Sequence, residues 1–503
     1  MILLLNPRSA SVNRRIPLSL LTVGAGLEGR FDYEILDENF HYPIDSYLER
    51  RIREKEVRYL CMTVMPGPQL VRAIHLSKLM KSVFPHLTIV WGGSFPTIHT
   101  ETVLSSSFVD VVILGQGEFI FPKFLESVAR GMPPDSVPGV AVRSDGGIRY
   151  APAAPWVDPN ETPRLPYHRV DVARYLQRTY LGERTSAYHS SLGCPFRCGF
   201  CSVVAEFDGR WFSQSPQRVA EEIVYLKENF GVDSIEFFDN NFFTSERRTA
   251  EFCDRIRPHG MRWWGEGRSD TINAYSDATL RAMRDAGCTM IFTGAETSSE
   301  KGLTLMNKGG TQTGELILDF ARRIREFGII PEFSFIFGSP SSNIDADIDR
   351  DIRFIKQIKD VNPSSEIIFY VYAPVYLPGA AIFEEARKYG FDYPQSLEEW
   401  VQPKWLHFDL RKRPMTPWIK PRHVARIRNF ERTLNAQFPS STDLHLTPRK
   451  KSFLRRLSGW RYRSDFYFAP VEIRFFLTKV FRYRQPEIEG APQYETIART
   501  HEY

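Results

Sequence analysis

Short apolar runs alternate along this chain with longer stretches in which apolar residues return every three or four positions. The runs at 2–5, 33–36, 59–64, 87–91 and 109–114 read as buried strands, and the stretches at 18–27, 44–54 and 69–84 carry the helical period. A further helix is predicted at 119–129. Strand and helix in turn argue for a doubly wound parallel sheet, an α/β Rossmann-like domain over residues 1–132, whose ligands bind beyond the carboxyl ends of the strands.

Residues 133–182 break the pattern. Prolines at 133, 134, 152, 155, 159, 163 and 166 predict an extended linker, decorated by a small hairpin from 139–143 to 148–151. Alternation then resumes, with strands predicted at 186–192, 234–238, 262–265, 290–293, 331–337 and 367–372. Helices are predicted at 217–229, 247–256, 276–286, 314–327, 348–358 and 380–388. Six strand-helix units over 183–394 make a parallel (β/α)6 partial barrel, too few to close as eight would and so open on one side. Residues 395–503 are expected to form a small, mostly helical accessory domain.

The 503 residues are 42% hydrophobic and 13% aromatic, ample for sizeable cores, so a folded protein is expected. No apolar run nears the roughly 18 residues of a membrane span. The apolar start breaks at Asn6-Pro7 with neither a basic leader nor a cleavage site, which predicts a cytoplasmic protein. The net charge of +5 is unevenly spread. Residues 449–484 hold eleven Lys or Arg, two acidic residues and ten aromatics, so that segment is +9 and the remainder −4. Basic and aromatic residues interleave at 453–460 and 473–481, which fits two readings: a peripheral contact with the inner membrane face, or helices packed on the barrel with basic faces in water. Nucleic acid is not an expected partner, because no groove-reading motif accompanies the charge.

Three of the six cysteines stand in one loop, Cys194-Pro195-Phe196-Arg197-Cys198-Gly199-Phe200-Cys201. The others, Cys61, Cys253 and Cys288, are scattered through apolar segments where a reduced buried thiol is ordinary, so neither a disulfide framework nor a second all-cysteine cluster is expected. The Cys-x3-Cys-x2-Cys spacing lets a compact loop hold three irons of a four-iron cubane and leaves the fourth open to a small chelating ligand. Zinc in a structural site would want four ligands, usually as two paired clusters, and no second pair lies at suitable spacing. His189, the nearest candidate, falls inside the strand predicted at 186–192.

With Phe200 before its last cysteine, the loop resembles the signature of the radical S-adenosylmethionine (SAM) enzymes, in which SAM occupies the open iron. The resemblance implies Cys194, Cys198 and Cys201 as ligands of one 4Fe-4S cluster, and reductive cleavage of SAM to methionine and a 5'-deoxyadenosyl radical. Active sites of such barrels gather at the carboxyl ends of strands. SAM contacts are accordingly expected from Phe200 beside the cluster, Asp239 and Asn240 after the second strand, Arg268 after the third and Glu296 after the fourth. Arg268 could clamp the SAM carboxylate, and Asp239 or Glu296 could accept from its ammonium or ribose hydroxyls. A barrel-end salt bridge of Arg268 with Asp270 or Glu296 is the competing reading.

Three strand-end turns of the first domain are Met65-Pro66-Gly67-Pro68-Gln69, Gly92-Gly93-Ser94-Phe95-Pro96-Thr97 and Gly115-Gln116-Gly117-Glu118. In this order they resemble the cobalamin-binding domain that precedes the barrel in one large radical SAM class. The resemblance implies cobalamin contacts from Pro66, Gly92, Gly93, Thr97, Gln116, Gly117 and Glu118, although members often have His where Phe95 stands and Glu where Gln116 stands. No Asp-x-His-x-x-Gly motif occurs, so cobalt is expected to lack a histidine ligand. A degenerate domain that binds nothing is the alternative.

The class includes methyltransferases and the anaerobic Mg-protoporphyrin IX monomethyl ester cyclase. The function it implies is methylation of an unactivated carbon or phosphorus through methylcobalamin, on a small molecule of hydrophobic or lipid-like character. An electron donor such as flavodoxin or ferredoxin is implied as a partner. A radical cyclase or rearrangement enzyme of the same architecture is the alternative, and no single residue stands out as catalytic. A methylthiotransferase would need clustered cysteines in the first domain, where only Cys61 occurs.

Overall fold

The structure, a computed structural model, describes residues 1–9, 14–144, 146–308, 310–406, 411 and 413–483. Five apolar runs become the parallel strands β1 (Ile2–Asn6), β2 (Tyr33–Asp37), β3 (Tyr59–Thr63), β4 (Thr88–Gly92) and β5 (Val111–Ile113), in the order 2-1-3-4-5. All of β1 is buried, as a central strand covered by helices on both faces must be. The helices Leu18–Leu27, Asp45–Glu54, Pro68–Val83 and Gly117–Ala129 stand where the helical period falls. Two short helices, Ser94–Ile98 and Thr100–Leu104, occupy the β4 to β5 connection, where none was predicted.

The hairpin expected to decorate the linker instead extends this sheet. β6 (Val140–Ser144) pairs antiparallel with β5, and β7 (Gly147–Tyr150) with β6, so the sheet continues past residue 132. Burial of Val140, Ala141 and Val142 explains the choice, because the hairpin covers a β5 edge that would otherwise expose unpaired backbone groups.

The second sheet begins at β8 (Thr185–Tyr188). The strand predicted at 186–192 breaks there, and the chain re-forms as β9 (Ser191–Gly193), antiparallel to β10 (Trp211–Ser213). The break is built by Asp239, which accepts the Ser190 backbone N–H at 2.7 Å and the hydroxyls of Ser190 and Ser191 at 2.6 and 2.7 Å. These bonds replace the ladder and turn the backbone away from the sheet. Five more parallel strands follow: β11 (Ser234–Phe237), β12 (Arg262–Gly267), β13 (Cys288–Glu296), β14 (Ile330–Phe337) and β15 (Glu366–Val371). Their order, β15-β14-β13-β12-β11-β8, leaves β8 and β15 as the two edges of an unclosed barrel.

Helices pack on the outer face of this sheet. Pro216–Phe230 shows local sequence at work: the Ser215 hydroxyl accepts the Arg218 N–H, and Pro216 fills the first helical position. Beneath the helices Phe237, Phe242, Phe252 and Trp263 pack edge to face or tilted, with ring centroids 4.6 to 6.0 Å apart. Each such buried ring contributes roughly 2–3 kcal/mol.

The C-terminal region is helical, as expected. Helix Pro421–Gln437 lies on β15, with Phe430 against Phe369 at 5.9 Å, and carries helix Pro448–Arg463. Leu454, Tyr462 and Ile473 are buried, whereas Trp460, Phe466, Phe468 and Phe475 are exposed. Arg484, the end of the basic segment, lies outside the described residues. Among the described residues no helix is long and apolar enough to cross a membrane.

Candidate active site

The cysteine loop runs from β9 into helix Ser202–Phe207. Gly193 fixes its entry: with φ +77°, a Cβ there would lie 2.2 Å from the Arg210 carbonyl oxygen. A side chain is excluded at that position. The far side of the loop is braced by the turn at 306–308, where the Gly199 N–H donates to the Met306 carbonyl at 2.9 Å and Asn307 Nδ2 donates to the Arg197 carbonyl at 2.7 Å.

Two of the three sulfurs receive side-chain donors. Asn241 Nδ2 reaches Cys194 Sγ at 3.6 Å and Arg268 Nη1 reaches Cys198 Sγ at 3.6 Å. Burial raises the Cys198 thiol pKa, while Lys308 and Arg268 pull it back down. Burial also pushes Cys201 up to about 12. The two cations and the amide donor favour thiolates over thiols, the form in which cysteine binds iron. Among the described residues no three His, Cys, Asp or Glu side chains converge as ligands of one ion. A cubane makes no such demand, since each thiolate takes its own iron. The Oδ1 of Asn241, buried without a protein partner, is an acceptor left for something else at the loop.

The residues expected to touch SAM divide. Phe200 packs in the cysteine loop, with the Lys308 ammonium 5.6 Å from its ring. Asn240 is exposed beside the loop and accepts the Gly193 N–H at 3.1 Å. Asp239 is wholly buried, with both oxygens engaged by Ser190 and Ser191, so it holds the strand-to-loop junction and has no free face for a ligand. Arg268 forms the competing salt bridge, at 2.6 Å to Asp270, and stacks 3.9 Å over Phe196. Burial works against the Asp270 carboxylate, but hydrogen bonds from Arg268, Thr311 and the Thr271 N–H, with the Arg268 charge, together outweigh it and hold its pKa low. Glu296 pairs with Lys308 at 3.0 Å and accepts from Ser334. Lys308 and Asn241 were missed in the sequence. Asn241 had a legible signal, since it adjoins Asn240 in the same strand-end turn; Lys308 lies in a turn with no local mark.

A cavity of about 650 Å³ lies between the carboxyl ends of the first sheet and the barrel mouth. Gly92, Gly93, Thr97, Gln116, Gly117 and Glu118 line it, together with His189, Asn240 and Ser202 from the barrel side. Pro66 does not; it lines a neighbouring cavity instead. Gly93, at φ +97°, passes so close to Val64 that a Cβ would sit 3.2 Å from its backbone N and O. A Cβ on Gly92 would meet only the Ile113 carbonyl at 4.0 Å, so the space before it is open. Gln116 spends its amide on the linker, bonding the Val157 N–H and C=O at 2.8 and 3.0 Å. Glu118 is buried and its pKa is raised by that burial.

His189 departs from its expected place inside a strand. Because the strand breaks at Ser190, its ring is exposed to this cavity, and the surrounding walls lower its pKa.

The neighbouring cavity, of about 520 Å³, opens on the same loop through Phe200 and is walled by the ends of β14 and β15 and by aromatic residues from 391 to 405. Met65, Ser94 and Ser202 line both cavities, so the two meet beside the cysteine loop.

A cysteine loop at the mouth of a six-stranded partial barrel, facing a cavity against the strand ends of a Rossmann-like domain, defines a two-domain cofactor enzyme with one shared cleft. Comparisons with known proteins give the family. The B12 binding domain matches residues 11–125 and the Radical SAM superfamily matches residues 188–355. An uncharacterized methyltransferase of Pyrococcus horikoshii is 25% identical over 394 residues, spanning 76% of this chain and 82% of its own. The anaerobic magnesium-protoporphyrin IX monomethyl ester cyclase of Synechocystis sp. is 27% identical over 434 residues, spanning 83% and 82%. Among solved structures, the radical SAM methyltransferase TsrM from Kitasatospora setae shares the fold at a TM-score of 0.67 and 16% identity, covering 96% of this chain and 99% of its own. The cobalamin-dependent enzyme OxsB does so at 0.66 and 16%, covering 99% and 77%.

This chain belongs to the cobalamin-binding radical SAM enzymes. Its cofactors are a 4Fe-4S cluster, SAM and cobalamin.

Proposed function

We propose that the protein transfers a methyl group from SAM, by way of cobalamin, to an unactivated carbon or phosphorus of a small molecule held in the 520 Å³ cavity. The meeting of the two cavities at Met65, Ser94 and Ser202, beside Phe200, carries this reading, because it brings the cysteine loop, the first domain and an independent substrate space to one point. When bound, the cluster with SAM supplies a hydrogen-abstracting radical, and cobalamin supplies a methyl carrier.

The chain's part is to hold and orient. Cys194, Cys198 and Cys201 hold the irons, with Asn241 and Arg268 donating to two of the sulfurs. Such donors stabilise the more negative, reduced cluster. Phe200 stands between the loop and the substrate space, and Asn240 and the orphan Oδ1 of Asn241 are the polar groups offered to SAM. Gly92, Gly93, Thr97, Gly117 and Glu118 form the wall against which the corrinoid lies, with Gln116 anchoring that wall to the linker. A reduced flavodoxin or ferredoxin supplies the electron.

Reconstituted, reduced protein incubated with a small-molecule cell extract and SAM labelled in its methyl group tests the reaction. Label in a new product is the expected result. Deoxyadenosine without transferred label would replace methylation by cyclisation, the reaction named for the Synechocystis relative. The exposed Trp460, Phe466, Phe468 and Phe475 beside basic residues keep a peripheral membrane contact in the proposal, and salt-sensitive sedimentation with anionic vesicles is its check.

A further inference from the structure

The 520 Å³ cavity differs from the 650 Å³ one in carrying no Asp, Glu, Lys or Arg among the described residues of its walls. Aromatic rings dominate it. Phe200, Tyr376, Tyr393, Trp400 and Trp405 face it from four separate segments, which is the composition of a site that binds ring systems by stacking and apolar contact.

One imidazole stands among them. His99 lies in the wall with its centroid 5.2 Å from Tyr376, 5.7 Å from Tyr393 and 5.4 Å from Trp400, and 4.9 Å from Phe95 behind it. No described residue hydrogen-bonds its side chain, whereas the nearby Tyr393 hydroxyl is already spent on the Pro374 carbonyl. Tyr372, also in the wall and 2% exposed, buries a hydroxyl with no protein partner. His99 is half-buried, so its imidazole stays open to the cavity, whereas the buried Tyr372 hydroxyl is costly unless a ligand satisfies it.

We propose, resting on the reading of this cavity as the substrate site, that the enzyme acts on an uncharged ring-containing molecule whose hydrogen-bonding group is met by the imidazole of His99. An anionic group would enter this space without a counter-charge or donor array. A cationic one would find aromatic faces but no carboxylate among the described wall residues to take its charge. Neutral His99 keeps both hydrogen-bonding roles available: burial lowers its pKa to about 4.

The test is equilibrium binding of four probes of one size to the full, reconstituted chain: naphthalene, 2-naphthol, 2-naphthoate and 2-naphthyltrimethylammonium. 2-Naphthol should bind best, naphthalene about tenfold more weakly for want of one hydrogen bond, and both charged probes at least tenfold more weakly still. His99→Phe should bring 2-naphthol down to the affinity of naphthalene and leave naphthalene within about twofold. Ala373→Phe, which adds a ring to the cavity wall, should weaken all four. Tightest binding of either charged probe would overturn the substrate class, and undiminished preference for 2-naphthol in His99→Phe would overturn the role of His99. Because binding is read without turnover, failure of label transfer with the probe ranking intact would sink methyl transfer alone.

Discussion

The two cavities that meet at the cysteine loop are built from the same chain in opposite chemistry. The larger is walled by strand-end turns and polar side chains, among them Arg15, Gln69, Glu206, Arg218 and His189, whereas the smaller has no Asp, Glu, Lys or Arg among its described wall residues. Each holds an imidazole with a lowered pKa, His189 in the first and His99 in the second. A corrinoid rimmed with amides needs many hydrogen bonds to hold it; a substrate attacked by a radical needs a space that excludes water and competing polar groups. The division of labour lies in the walls, and four experiments press on it.

The largest effect should come from Cys194→Ala, Cys198→Ala and Cys201→Ala combined. That variant should retain no iron or acid-labile sulfide after anaerobic reconstitution, while binding of cobalamin and of neutral probes persists. Iron content equal to the parent would refute the cluster assignment. Next is Arg268→Leu, which strips the cation from buried Asp270 and should cost about 3–5 kcal/mol in denaturant unfolding. Arg268→Leu with Asp270→Leu should recover most of that loss, since it leaves no lone buried charge.

Paired glycine changes separate space from strain. Gly93→Ala should cost roughly 1–3 kcal/mol through its left-handed φ and its approach to Val64. Gly92→Leu points into open space and should leave stability nearly unchanged while weakening cobalamin binding, measured by dialysis. If both variants bound cobalamin normally, the larger cavity would not be its site.

The smallest effects concern the two imidazoles. Burial lowers the folded-state pKa of His99 from 6.5 to about 4, so the unfolded chain binds the proton more readily. The stability this group contributes is present above pH 6.5 and lost as pH falls towards 4, at most about 3 kcal/mol in total. His99→Phe should flatten that part of the stability curve. His189 faces the cobalamin side, and the lack of a histidine on cobalt predicts that the electron paramagnetic resonance spectrum of bound cobalt(II) shows no axial nitrogen splitting. A splitting that vanishes in His189→Ala would reverse this.

Much of the architecture was legible before the fold. Helix Leu18–Leu27 and the six parallel strands of the barrel follow from periodicity, because burial on one or both faces writes itself into local sequence. The cysteine loop was legible for a similar reason: its three ligands are close in the chain. The hairpin at 140–150 was seen as a hairpin but assigned to the wrong partner, since the edge it covers belongs to β5. The strand at 186–192 was read as continuous because nothing local reveals that Asp239, almost fifty residues on, captures Ser190 and Ser191.

What the sequence determined by itself is therefore the order of elements and the cluster loop, where the relevant interactions lie within a few residues. Tertiary structure alone decided that Lys308 pairs with Glu296, that His189 opens into a cavity, and that His99 gathers rings from Tyr376, Tyr393 and Trp400. The physical reason is distance along the chain. A charge or ring is satisfied by whatever neighbour the fold delivers, and for His99 those neighbours stand about 280 to 300 residues away, where no local pattern can name them.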